Sequence, residues 1–328
     1  MWFNIVTNNH GSLNDCAANL HLTIKYFREA ISACGHEVTV EHEMVYKEAI
    51  NLYFEHFFND DFYKKIIAIK RQHGLRMGLI TTELVVDGTI PYARHGIRAG
   101  AEKDKAAYIA RRVAGQEIAA RDMDFVWSMI ERTSVGCRKF NPISEFFPVG
   151  HTGSVPTTVR RSPKDIDVCF FGAKTPHRER VLQALAAQGL RVVAVGGGFP
   201  QGYLPEDWLN SLLDRSKIGL NLTLHARDES VGDVDPRFAS CIRLAEMLGR
   251  EVCIVSEHIP LDNPYAAFTL SAPPDGLAAL CREVVDGGRW RQFGPSAAAA
   301  FRTAMDAGTI CAPVIERTLK ALGLPRTA

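Results

Sequence analysis

Short apolar runs alternate along this chain with longer stretches of helical spacing, separated by Gly, Pro and polar clusters. Phe3 to Thr7, His36 to Val40, Ile50 to Phe54, Arg76 to Leu84 and Phe125 to Ser128 have the length and β-branched or aromatic content of strands. From Cys16 to Cys34, residues Leu20, Ile24, Phe27 and Ile31 recur at helical spacing, and Gly35 is the natural stop. Residues 62–72 and 102–120 read as two more helices. The alternation resumes with Ile166 to Phe171, Leu190 to Val195, Ile218 to Leu224 and Val252 to Val255 as strands. Helices open at Thr175-Pro176 and Asp235-Pro236, each an N-cap residue followed by Pro at the first helical position. The first ends at Gln188-Gly189 and the second near Gly249, and helices at 277–285, 296–305 and 310–322 fill the end. Repeated strand, helix, strand units predict an α/β protein with parallel sheets.

His151 to Asp165 breaks this rhythm. It is rich in Gly, Pro, Ser, Thr and Arg without periodicity, as a domain boundary should be. The expected layout is a first domain over 1–150, a linker over 151–165, a second domain over 166–308 and a terminal helix over 309–328. At 328 residues the chain is long enough for two such domains.

Composition narrows the class. With 46% hydrophobic and 23% charged residues, the chain can bury an ordinary globular core. A net charge of +1 argues against a bulk nucleic-acid binder. No run approaches the ~18 apolar residues of a membrane span. Met1 leads almost directly into a strand, which points to a cytoplasmic protein without a leader. The eight cysteines are scattered with no C-x-x-C pair, so buried thiols are expected rather than a zinc site or a disulfide framework.

Candidate chemistry sits where strands end. The polar loop after the first strand holds His10 and Asp15, and the strand from Arg76 runs into Glu83. Each could act as a general base on a hydroxyl, or simply be a solvated or hydrogen-bonded side chain. In the second domain, Gly172 and Lys174 follow a strand and Arg178 lies just inside the next helix. A Gly turn with cations at a helix N-terminus can cradle a diphosphate. It is neither a G-x-G-x-x-G fingerprint nor a P-loop. Arg243 and Glu246, three apart on one helix, suit a phosphate plus ribose hydroxyls, and equally suit a solvated pair. Asp228, Glu229, Asp233 and Asp235 crowd the loop before that helix, with Arg227, Arg237 and Arg243 to offset them.

The segment from Ser216 to Glu257, with Asn221 in an L-N-x strand, Arg-x-x-Glu on the helix and a strand ending in Ser-Glu, resembles GT-B glycosyltransferases, in particular the group-1-like and spore-maturation-type proteins. The likeness covers most of the chain, specifically in its second half and only architecturally in its first. It implies two Rossmann-like β/α/β domains facing a cleft, with a C-terminal helix packing back on the N-terminal domain. The implied activity is metal-independent transfer of a hexosyl group from a nucleotide-sugar co-substrate to a small-molecule, glycan or protein acceptor, with no other cofactor. Glu246 would hold the ribose. Gly172, Lys174, Arg178, Asn221, Asp235, Arg237 and Arg243 would complete the donor site, and His10, Asp15 or Glu83 would serve as base. A nucleotide-sugar epimerase and a non-catalytic scaffold of the same fold remain alternatives, and a homodimer stays open.

Overall fold

The computed structural model describes residues 1–7, 17–55, 60–82, 114–115, 117–153, 163–223, 241–259 and 261–325. They form two compact units. One comprises Met1–Leu13, Ile24–Pro148 and Ala307–Ala328, the other Asn14–Thr23 and Val149–Asp306.

The first unit holds a six-stranded sheet of β1 (Trp2–Val6), β2 (Glu37–Glu41), β3 (Ile50–Phe54), β4 (Arg76–Thr81), β5 (Phe125–Ser128) and β6 (Ser144–Phe146). Its order is β2-β1-β3-β4-β5-β6 and every pairing is parallel. Sequence and position agree. All five residues of β3, INLYF, are buried, as a central parallel strand covered on both faces requires. The edge strand β2, EVTVE, keeps polar residues and partial exposure. In β4 a Cβ at Gly78 would fall 2.2 Å from Phe125 Cζ, so the missing side chain is what seats the aromatic ring on its neighbour strand. Helices α1 (Ala17–Ala33), α2 (Asp60–His73) and α3 (Glu131–Cys137) accompany the sheet. Beneath them Trp127 packs with Phe125, Phe3 and Phe147 in a fully buried aromatic group.

The C-terminal helix α9 (Ala307–Ala321) belongs to this same unit. It buries Cys311, Val314, Ile315, Thr318 and Leu319. Trp127 Nε1 donates to Thr318 Oγ1 at 2.9 Å, and Arg317 reaches Glu145 at 2.9 Å. At its start, the Cys34 thiol at the end of α1 lies 3.6 Å from the carbonyl of Gly308.

The second unit holds β7 (Ile166–Phe171), β8 (Val192–Val195), β9 (Ser216–Asn221), β10 (Cys253–Glu257) and β11 (Leu270–Ala272) in the parallel order β11-β10-β9-β7-β8. Helices α4 (Pro176–Ala187), α5 (Glu206–Asp214), α6 (Cys241–Gly249), α7 (Leu277–Asp286) and α8 (Trp290–Ala304) surround it. Leu182 and Leu185 of α4 and Leu277, Cys281 and Val284 of α7 close over Val168, Phe170, Ile218, Leu220 and Val255. A Cβ at Gly219 would sit 2.2 Å from Met247 Sδ, which lets α6 approach β9 closely.

Four elements were not expected from the sequence. Strands β6 and β11 have three residues each, too short to show any period. Helix α3 is a seven-residue helix in a segment without helical spacing. Helix α5 did carry a signal, since Leu209, Leu212 and Leu213 recur at helical spacing and are all buried. Among the described residues no helix is long and apolar enough to cross a membrane. None of the seven described cysteines forms a disulfide, and five of them are buried.

Candidate functional site

Parallel pairing sets the carboxyl ends of β8, β7, β9 and β10 side by side, the edge at which open α/β sheets bind ligands. Strand β7 leads through Gly172 to Thr175, whose hydroxyl accepts from the Arg178 N–H at 3.3 Å as the N-cap of α4, with Pro176 at the first helical position. That cap places His177 and Arg178 in the first turn of α4, directed at the ends of β9 and β10.

Arg178 is almost fully buried. Its Nε donates to Thr223 O at 2.9 Å, Nη1 to Ala173 O at 2.8 Å and Nη2 to Leu222 O at 3.0 Å. Arg243, from α6, enters the same place. Its Nε donates to Phe171 O and its Nη1 to Asn221 Oδ1, both at 2.9 Å. The other end of the Asn221 amide donates to Ser256 Oγ at 2.9 Å, so this side chain joins β9, β10 and α6. Both guanidinium groups stand 5.2 Å from the ring centre of Phe170. Burial, and then the neighbouring Arg178, hold the Arg243 pKa well below its ordinary range, with Glu257 acting in the opposite direction.

Glu257 ends β10. Its carboxylate pairs with His177 Nε2 through one oxygen and accepts the Thr223 N–H at 2.7 Å and the Thr223 hydroxyl through the other. Burial pushes this carboxyl upward, but the His177 and Thr223 hydrogen bonds outweigh it, and the net pKa lies below 4.5. The group is therefore an anion at neutral pH. Beside it lies a cavity of about 310 Å³ lined by Thr223, Glu257, His258, Pro273 and Pro274.

Two backbone loops close the β7 and β8 side. Gly172 N donates to Val195 O at 3.0 Å and Lys174 N to Gly197 O at 2.7 Å. A Cβ on Gly196, whose φ is +125°, would lie 2.1 Å from Gly172 O. Backbone meets backbone there, so nothing flexible can yield. We expect Gly196→Ala to force these loops apart and destabilise the fold by roughly 1–3 kcal/mol, measured by denaturant titration.

The structure brings together Gly172, Arg178, Asn221 and Arg243 of the expected donor set. All three guanidinium nitrogens of Arg178 donate to main-chain carbonyls, so it braces the loop ends. Lys174 is one-third exposed and pairs with Glu179 at 2.8 Å. A Cβ at Gly172 would come 2.8 Å from Arg243 Nη2, so Gly172 makes room for that guanidinium. Glu246 is partly exposed on α6, one turn after Arg243. His10, Asp15, Glu83, Asp235 and Arg237 lie outside the described residues, as does the acidic run at 228–235. His177, Thr223 and Glu257 were not among the sequence candidates. The available signals were a His beside the Thr-Pro cap and a Glu closing a buried strand. Among the described residues no group of three or more His, Cys, Asp or Glu is placed to hold a metal.

The sequence matches no protein-family model and no curated protein. The fold does match solved structures. It is similar to AviGT4, a glycosyltransferase involved in avilamycin A biosynthesis, with a TM-score of 0.57 at 10% identity over 98% of each chain. It is similar to Anabaena Alr3699/HepE, solved in complex with UDP-glucose, with a TM-score of 0.54 at 10% identity over 98% of this chain and 100% of that one. A third likeness is to TarM, with a TM-score of 0.50 at 10% identity over 84% of this chain, which spans only 55% of TarM. The chain has the GT-B glycosyltransferase fold, with two parallel sheets in Rossmann-like arrangement.

Proposed function

We propose that this GT-B chain transfers a sugar from a nucleotide-sugar donor, bound by the second unit, to an acceptor hydroxyl. One observation carries the reading. At the carboxyl edge of β7, β9 and β10 the buried Arg243 guanidinium is fixed by Phe171 O and Asn221 Oδ1, over the ring of Phe170. Fixed charge-assisted donors at that edge suit an anion, and a diphosphate supplies one. Arg243 is the cation proposed to face it, with Arg178 and Asn221 holding Arg243 and the loop carbonyls in place. Lys174, Asp235 and Arg237 remain proposed contributors, and Glu246 is proposed to bind the ribose hydroxyls. As the glycosidic bond breaks, negative charge grows on the departing diphosphate, and fixed donors stabilise it without reorganising. His10, Asp15 and Glu83 are the proposed sources of a base for the acceptor. The UDP-glucose complex of Alr3699/HepE makes UDP the first nucleotide to try.

The test is thermal. UDP, GDP, dTDP, ADP and CMP are each added at saturating concentration and the melting temperature is followed. A ligand at 100 times its dissociation constant adds about 2.7 kcal/mol, and each kcal/mol moves the midpoint by about 2–4 °C for a domain of this size. The matching nucleotide should raise it by several degrees, and Glu246→Ala should abolish that rise while leaving the unliganded midpoint in place. No shift with any nucleotide would overturn the reading. With a turnover assay in hand, His10→Ala, Asp15→Asn and Glu83→Gln are compared. Loss of the base should cost ~10²–10⁴-fold in turnover and leave nucleotide affinity unchanged.

A further inference from the structure

Strand β2 is the outer strand of the first unit's sheet and pairs only with β1 among the described residues. The Glu37 N–H donates to Met1 O at 3.0 Å, and Glu41 O accepts from the Thr7 N–H at 2.8 Å. Glu37, Thr39 and Glu41 therefore turn their main-chain groups toward β1, and Val38 and Val40 turn theirs outward. We infer that this edge receives one added strand from a partner protein, a segment in which Lys or Arg alternates with aliphatic residues. The inference is independent of the nucleotide-sugar reading and concerns the first unit alone.

The edge is ordered before any partner arrives. The chain returns from β2 to β3 through residues 42–49 without a helix, and buried amides fix this short crossing to the sheet. Asn4 Nδ2 donates to Met44 O at 2.8 Å and Asn51 Nδ2 to Tyr46 O at 2.8 Å, while the Tyr46 N–H donates back to Asn51 Oδ1 at 3.0 Å. Thr39 Oγ1 donates to Asn4 Oδ1 and accepts from Trp2 Nε1, both at 3.0 Å. The Trp2 and Tyr46 rings lie 4.7 Å apart. Such preorganisation lowers the ordering cost of binding.

Charge selects the occupant. Edge strands are commonly blunted by Lys, Pro or a bulge, and β2 has none of these. Its sequence, EVTVE, sets Glu37 and Glu41 on one face with Thr39, and Val38 and Val40 on the other. Glu43 and Glu48, both exposed, follow on the crossing, and Lys47 is the sole Lys or Arg between residues 37 and 48. Val40 is 40% exposed and Met44 57% exposed. A second copy of this strand would bring Glu37 and Glu41 of the two copies together, and like charges directly opposite are destabilising. A strand with a cation at every second position meets the two carboxylates on one face. Its aliphatic side chains then fall beside Val38 and Val40 on the other. Main-chain bonds to Val38 and Val40 supply affinity and the alternation supplies the choice of partner, as in strand addition generally.

The experiment titrates the full chain with three short fluorescein-labelled peptides. They are Lys-Val-Lys-Val-Lys-Val, the same residues in blocks as Lys-Lys-Lys-Val-Val-Val, and Glu-Val-Glu-Val-Glu-Val. Fluorescence anisotropy gives each Kd, and hydrogen exchange followed by NMR reads the N–H groups of Val38 and Val40. The alternating basic peptide should bind about tenfold or more tightly than either of the others. Its binding should weaken with added salt and should slow exchange at Val38 and Val40. Val40→Pro removes an outward N–H while keeping the bonds to β1, and should weaken this peptide about tenfold. Glu37→Lys combined with Glu43→Lys leaves the main-chain groups intact and should turn the preference toward the acidic peptide. No binding of the alternating basic peptide overturns the inference, as does binding without slowed exchange at Val38 and Val40. Wild-type affinity in a folded Val40→Pro, or an unchanged preference in the double Lys variant, overturns it too. Equal binding of the block peptide also overturns it, because the surface would then be a plain electrostatic one.

Discussion

Trp127→Ala should destabilise the first unit by about 3–5 kcal/mol, the range for emptying a buried aromatic site. Trp127 is fully buried, with ring centres 4.8 Å from Phe147, 4.9 Å from Phe125 and 5.9 Å from Phe3. These neighbours come from β1, β5 and the segment after β6, so no single rotamer change can fill the void. The indole also joins the sheet to the C-terminal helix through its hydrogen bond to Thr318. Removing it leaves the Thr318 hydroxyl with its own bond to Val314 O at 2.9 Å, so the hydroxyl is not stranded. The loss is therefore mainly one of packing. At about 2–4 °C per kcal/mol the midpoint should fall on the order of 10 °C. Trp127→Phe should recover most of it, and Thr318→Val should cost only about 1 kcal/mol for the unpaired indole N–H. If Trp127→Ala melts within 2 °C of the wild type, on the order of 1 kcal/mol, this core does not stabilise the unit as described.

Glu257→Ala should cost about 3 kcal/mol, at the lower end of the range for breaking a buried ion pair. His177 and the Thr223 N–H would lose their acceptor in a place with little water. The same carboxylate sets an acid dependence. Its folded pKa is depressed below 4.5, so its stabilisation is present above that value. It is lost as pH falls through the lower folded value. Stability of the wild type should therefore decline on acidification below about pH 4.5. Glu257→Gln should show a shallower decline over the same window, as followed by urea midpoints. Parallel declines would mean that Glu257 is not the group that titrates.

The elements and their class were legible in the chain. Runs such as INLYF in β3 and FVWS in β5 are apolar throughout because parallel strands are buried on both faces, and that requirement is local. Thr175-Pro176 marked the start of α4 because capping depends on only a few consecutive residues. That Arg243, Asn221 and Gly172 would be neighbours was legible because each lies within a few residues of a strand end or on the helix that returns to it.

What each cation does was decided by tertiary structure alone. Lys174 and Arg178 look alike in sequence, both flanking a helix start, yet Lys174 pairs with Glu179 near solvent and Arg178 donates to three carbonyls. Those carbonyls belong to Ala173, Leu222 and Thr223, and only the parallel pairing of β7 with β9 brings them within reach of one guanidinium. The His177–Glu257 pair joins residues 80 positions apart, on a helix start and a strand end, and neither segment signals the other. A local pattern records which face of an element is buried. It cannot record which distant group will share that burial, and at this site the distant His177 and Thr223 keep Glu257 charged, the end of β9 gives Arg178 two of its carbonyls, and Pro273 and Pro274 line the cavity beside Glu257.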